Sequence, residues 1–368
     1  MKRPASALLI AAPLAIGRAT LAAALLVLLL AACASAPKVM QLDARPADND
    51  RVWPAQQTQE VPRYRYLGQL VGERNFQSAD GHQSTARKLF NWVVGLGDGP
   101  EQPVVLQRPQ SGVVDAAGRV LVTDVSRNAV FVFDEAAGRL DVWDRASKNQ
   151  RFAAPIGIAL GRNGELLVAD AELGRVFRLA RDGAPLGDFG AGELTRPTGL
   201  ARDAARGRIF VADTHAHDIK VFDDDGRLLA RWGRRGSGPG ELNYPTHLSF
   251  SDGMLIVCDS ANARVQGFDS EGTASLSFGE RGLYVGNLVR PKGVAADDEG
   301  NIYVVESMHD TLLVFDPKGR LLMSIGGSGQ EVGRFFLPSG VWVDGRNRVF
   351  VADMFNGRVA VFQFLGGL

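Results

Sequence analysis

The chain has 368 residues, 45% of them hydrophobic and 22% charged, with 41 basic side chains against 41 acidic ones. Setting aside the three basic residues of the leader described next leaves 38 basic and 41 acidic, a net charge of −3, which is not the electrostatic footprint of a nucleic-acid binder. There are two cysteines, Cys33 and Cys258; with Cys33 committed elsewhere, Cys258 has no partner, so a disulfide framework is excluded and stability must come from a buried core.

Residues 1–32 read as a targeting segment. Lys2, Arg3 and Arg18 supply a positive start, and Leu21 to Leu30 is a Leu/Ala/Val run too short for a bilayer, which needs about 20 apolar residues. The run ends in Leu30-Ala31-Ala32-Cys33, which resembles the lipobox of bacterial lipoproteins. That resemblance implies cleavage before a diacylglyceryl Cys33, with acyl chains that bury roughly 0.8 kcal/mol per methylene in the membrane. Position 34 is Ala rather than Asp, so the expected address is the outer membrane, with the domain facing the periplasm. Residues 33–61 hold Pro37, Pro46, Pro54 and a polar stretch without apolar periodicity, and are expected to form a flexible tether.

From residue 62 onward one unit repeats. Its first mark is a proline followed two residues later by glycine: Pro155-Ile156-Gly157, Pro197-Thr198-Gly199, Pro291-Lys292-Gly293 and Pro338-Ser339-Gly340. Pro109-Gln110-Ser111-Gly112 is one residue longer, and Pro245-Thr246-His247 lacks the glycine. The second mark is a β-branched or aliphatic run closed by an acid, at Asp124, Asp170, Asp213, Asp259, Glu306 and Asp353, spaced by 46, 43, 46, 47 and 47 residues. A polar turn, a second run and a Gly-Arg turn before a last strand complete four strands per unit. Periods in the forties with four strands predict propeller blades, which bury their faces only by stacking on each other. The sixth unit lacks its last strand, and Tyr64 to Val71 matches the missing pattern, so the expected fold is an all-β, six-bladed propeller whose last blade is closed by an N-terminal strand. The stretch 73–106 is an insertion; within it Thr85 to Leu96 predicts a short helix carrying Phe90 and Trp92 as a cap.

The Pro-x-Gly corner, the Val-Ala-Asp strand end and the turns through Asn262-Ala263-Arg264 and Asn356-Gly357-Arg358 resemble NHL repeats over about residues 107–365. The resemblance implies that corner and post-acid turn share one face and that the variable residue of the corner borders the central channel. Those residues are Ser111, Ile156, Thr198, Thr246, Lys292 and Ser339. It also invites comparison with NHL-like peptidyl-hydroxyglycine lyases, which hold zinc with a histidine directly after three corner prolines; none of these positions is His, so that chemistry is disfavoured.

An acid present in all six units is expected to hold its turn, with Arg175, Arg264 and Arg358 pairing there. His215, His217, His247 and His309 cluster in units three to five, in segments assigned to one face. Together with Thr198, Thr246, Lys292 and Ser339 they form the candidate ligand-binding face. No cofactor is expected, zinc or calcium in the channel being the alternative. The expected role is binding or scaffolding of a protein, peptide or glycan, with a metal-dependent hydrolase or lyase as the second reading.

Overall fold

The computed structural model describes residues 38–43, 51–55, 60–78 and 102–366. Cys33, the leader and the segment 85–96 lie outside these described residues. The chain divides into two compact units, Met1–Val39 with Gln77–Gln102, and Met40–Phe76 with Pro103–Leu368; the second is the propeller.

Five four-stranded antiparallel sheets follow one another along the chain, and a sixth is completed from the N-terminal side. In the third blade the strands are Pro197–Asp203, Arg208–Asp213, Asp218–Asp223 and Leu228–Trp232. The first strands of neighbouring blades lie against one another all the way round, the last against the first, so they line the central channel. Burial follows this order. The second strand is sandwiched between blades and reads as an unbroken apolar run, as Ile209 to Ala212 does, whereas the outermost strand alternates. Turns between outer strands use Asp and Gly: Asp316 accepts the N–H groups of Lys318 and Arg320, and Gly319 takes a φ of 76° that a side chain would resist.

The corner glycine has a steric cause. A Cβ on Gly199 would stand 2.6 Å from the Thr246 carbonyl oxygen, and one on Gly293 would stand 2.8 Å from the Gly340 Cα. The glycine is the place where the inner strand of one blade touches the backbone of the next.

The sixth sheet contains Gly340–Val343, Arg348–Asp353 and Arg358–Phe364, with Tyr64–Leu70 paired antiparallel to the last of these. Tyr64 and Tyr66 enter the core shared with the fifth blade, beside Tyr303, Phe335 and Phe362. The buried Tyr64 hydroxyl meets that of Tyr303 at 3.1 Å, and Tyr303 donates to Asp297 at 2.8 Å. Burial raises the pKa of both phenols, which keeps them neutral.

Two parts of the expected tether are strands instead. Val52–Trp53 adds a fifth, outermost strand by pairing with Tyr64–Leu70, and Trp53 packs edge-on against Phe362 at 5.4 Å. Lys38–Met40 pairs with Phe76–Ser78. The sequence pattern missed both because such short strands carry no periodicity, and because their partners lie on other segments. The described start of the 73–106 insertion is a 3-10 turn, Glu73–Asn75, followed by Phe76, which stacks on Phe133 of the first blade at 6.3 Å.

Candidate functional site

The six repeated acids sit where the chain enters each blade, and all six are fully buried. Each grips the backbone just before its corner proline. Asp124 accepts the N–H groups of Gln107 and Arg108 on one oxygen and those of Ser126 and Arg127 on the other. Asp170 and Glu306 repeat this with Ala153, Ala154, Glu172 and Leu173, and with Val289, Arg290 and Met308. These carboxylates staple two loops of one face together, and none is presented to a ligand.

Four blades need no identical counter-charge, and the structure shows how they differ. In blades four and six, Arg264 and Arg358 pair with Asp259 and Asp353 at 2.8 and 2.7 Å, as expected. Arg175 does not: it is largely exposed and meets Asp188 at 3.4 Å, because the four backbone donors already satisfy Asp170. In blade three the cation comes from a different strand position, with Lys220 buried between Asp213 and Asp218 at 2.8 Å from each.

The hydroxyls predicted to border the channel are engaged between blades. Thr198 donates to the Thr246 carbonyl at 2.8 Å, Thr246 to that of Lys292 at 3.0 Å, and Ser339 to that of Pro109 at 2.8 Å. Thr123, Thr214 and Ser260 make the same reach to Ile156, Pro245 and Pro291. This belt sews the inner strands together, so Thr198, Thr246 and Ser339 present little donor capacity to a ligand. Thr123, Thr214 and Ser260 are members that corner spacing alone did not single out; the signal was a hydroxyl adjacent to the repeated acid in these three blades.

The four histidines do not converge. His217 accepts the Tyr244 N–H on Nδ1 at 3.2 Å and lies edge-on to the Tyr244 ring at 4.5 Å; burial, with Arg235 nearby, lowers its pKa. His215 is exposed beside the same ring, and His309 is half-buried in the turn of blade five. His247, standing where the repeat has glycine, reaches across the channel. Its Nε2 is 3.2 Å from the Ser111 hydroxyl of blade one, and its Cε1 lies 3.2 Å from where a Cβ on Gly340 would stand, a place taken by the Gln110 carbonyl oxygen. Burial, with the Lys292 charge second, pushes its pKa down to about 4, so the ring is neutral at pH 7.

Beside it, Lys292 carries an ammonium that forms no hydrogen bond or ion pair among the described residues, and burial, then Arg290 and Arg108, lowers its pKa. With aliphatic Ile156 and the belted hydroxyls at the remaining corners, the channel offers no three-ligand zinc set. Among the described residues no three His, Cys, Asp or Glu side chains converge.

The surrounding loops carry exposed apolar side chains. Tyr244, Met308, Phe336 and Phe355 are between 43% and 51% exposed, and Phe336 and Phe355 meet edge to face at 5.6 Å.

A family profile described as "6-bladed beta-propeller" matches residues 202–282 and 288–367. The chain is 34% identical over 125 residues to protein brain tumor of Drosophila melanogaster, covering 33% of this chain and 12% of that one. It is 29% identical over 163 residues to peptidyl-glycine alpha-amidating monooxygenase A of Xenopus laevis, covering 40% and 17%. The chain therefore spans under a fifth of either relative. Among solved structures, virginiamycin B lyase from Staphylococcus aureus superposes with a TM-score of 0.52 at 14% identity, covering 70% of this chain and 96% of that one, a likeness of fold alone. With its six blades, stapling acids and Pro-x-Gly corners, the chain is a six-bladed β-propeller whose repeats are similar to NHL repeats.

Proposed function

We propose that this propeller is a non-catalytic binding or scaffolding protein, held at the outer membrane by a lipidated Cys33 and engaging a protein, peptide or glycan through the Pro-x-Gly face. The observation that carries the reading is the set of half-exposed Tyr244, Met308, Phe336 and Phe355 in the loops of that one face. The repeat does not demand apolar side chains there, and grouped exposed apolar residues mark interaction surfaces. The repeated acids and the belt hydroxyls are committed to the propeller's own backbone, which leaves these apolar side chains, His215 and the channel lysine to meet a partner.

The test is affinity capture from envelope membranes with wild type and a Phe336→Ser/Phe355→Ser variant, scored by mass spectrometry alongside melting temperature. A partner set captured equally by both folded proteins would remove this face from the proposal. For the anchor, Cys33→Ser is expected to leave the protein unlipidated and out of the outer-membrane fraction; normal fractionation of that variant would end the anchor assignment. The second reading, a metal-dependent hydrolase or lyase, draws on His247 and Ser111 meeting inside the channel. Stoichiometric metal in purified protein, lost with His247→Gly, would favour it.

A further inference from the structure

The residue just before the corner proline alternates around the ring. It is Arg108, Arg196 and Arg290 in blades one, three and five, and Ala154, Tyr244 and Leu337 in blades two, four and six. Identical repeat positions on alternate blades place three guanidinium groups around one channel mouth, with Lys292 at a corner of the channel wall. None of the four side chains makes a hydrogen bond or ion pair among the described residues; Arg108 lies over the Phe355 ring, 5.6 Å from its centroid. Many other arginines of the propeller are paired, as Arg202 is with Asp224 at 2.6 Å.

The carboxylates of this face do not neutralise the mouth. The six repeated acids are buried and hydrogen-bonded, Asp218 is held by Lys220, and Asp310 accepts from Ser328 and from the Leu337 N–H. Glu172, in blade two, is the exposed acid of the post-acid turns. Lys292, with Arg290 and Arg108 near enough for their charges to help lower its pKa, meets like charge and no counter-ion among the described residues, which is a cost to the fold.

Resting on the binding role above, we propose that the channel mouth receives an acidic peptide segment, its carboxylates set among Lys292, Arg108, Arg196 and Arg290, with a neighbouring apolar side chain against Phe355 and Phe336. Guanidinium groups offer carboxylates bidentate hydrogen bonds, and the ammonium adds a point charge behind them. Arg108 lies over the Phe355 ring and Phe336 meets that ring edge to face, so the pair offers apolar contact with the Phe355 face, on which a sugar or base would stack, already covered, which favours a peptide.

The test uses full-length protein in detergent micelles and a fluorescein-labelled peptide, Glu-Phe-Glu-Glu-Phe-Glu, with its Gln-for-Glu counterpart, read by anisotropy. The acidic peptide is expected to bind at least about tenfold more tightly than the neutral one, and to weaken as salt rises. Lys292→Met and the Arg108→Gln/Arg290→Gln pair should each reduce affinity about tenfold without lowering the melting temperature, because none of these side chains makes a hydrogen bond or ion pair among the described residues. Equal binding of the two peptides, no saturable binding of either up to about 1 mM, or unchanged affinity in folded variants would overturn the proposal. Tighter binding of polygalacturonate or of a single-stranded oligonucleotide would overturn the peptide assignment. Envelope partners captured through Phe336 and Phe355 but insensitive to the charge variants would sink this inference and leave the binding role standing.

Discussion

His247 makes the stability of the propeller depend on pH in a way that can be calculated. Its imidazole is buried against Ser111, and burial holds its folded pKa at about 4 against an ordinary 6.5. The folded pKa is depressed, so the neutral ring's contribution is complete above pH 6.5 and is lost as pH falls towards 4, where the unfolded chain binds a proton that the fold excludes. A shift of this size is worth about 3 kcal/mol, of which about 2.5 is gone by pH 4.5. That is a large part of an ordinary margin of about 5–15 kcal/mol. His217, also lowered by burial, adds loss of the same sign. Asp353, raised by burial, acts in the opposite sense, and carboxylates held low, such as Asp224 by Arg202, matter only below their ordinary range. Urea unfolding of wild type and His247→Gly at pH 7.5 and pH 4.5 isolates the effect, since glycine is the residue other blades place at this corner. The wild type should lose about 2–3 kcal/mol more than the variant between the two conditions. An equal loss in both proteins would show that His247 is hydrated or titrates normally, and its burial against Ser111 would be wrong.

Tyr64→Ala should cost about 3–5 kcal/mol, since the ring is fully buried between the closing strand and Tyr303, and denaturant midpoints would show it; deleting residues 64–70 should expose the edge of Arg358–Phe364 and cause aggregation visible by light scattering. Gly199→Ala should lower stability by about 1–3 kcal/mol because its Cβ would stand 2.6 Å from the Thr246 carbonyl oxygen, whereas Gly345→Ala, with open space around it, should leave the melting temperature unchanged. Lys220→Met should cost about 3–5 kcal/mol by leaving the buried Asp213 and the half-buried Asp218 without their cation, while His309→Ala stays within about 0.5 in the same unfolding assay.

The sequence by itself was enough for the architecture. Six acids at near-equal spacing, six corner prolines and four strand-length runs per unit are local features, and each records a local requirement: a turn to be stapled, a strand buried on both faces, a close approach that admits no Cβ. Even the closing strand was legible, because Tyr64 to Leu70 repeats a pattern present in other blades. What only the tertiary structure decided is how chain-distant residues meet. Val52–Trp53 becomes a strand by borrowing the edge of Tyr64–Leu70, not through its own pattern. Thr198, Thr246 and Ser339 looked available from their position, yet their hydroxyls are committed to the carbonyl of the next blade, some 48, 46 and 230 residues away along the chain. The replacement of a turn arginine by Lys220 is invisible without knowing which strand faces Asp213. His247 shows the limit most clearly. Its identity and its departure from the repeat stand in the sequence, but its hydrogen bond to Ser111 spans 136 residues and exists only because ring closure sets blade four opposite blade one. Periodic spacing encodes the blade; the contents of the channel depend on six blades meeting at one axis, where each side chain is set against residues from every other unit.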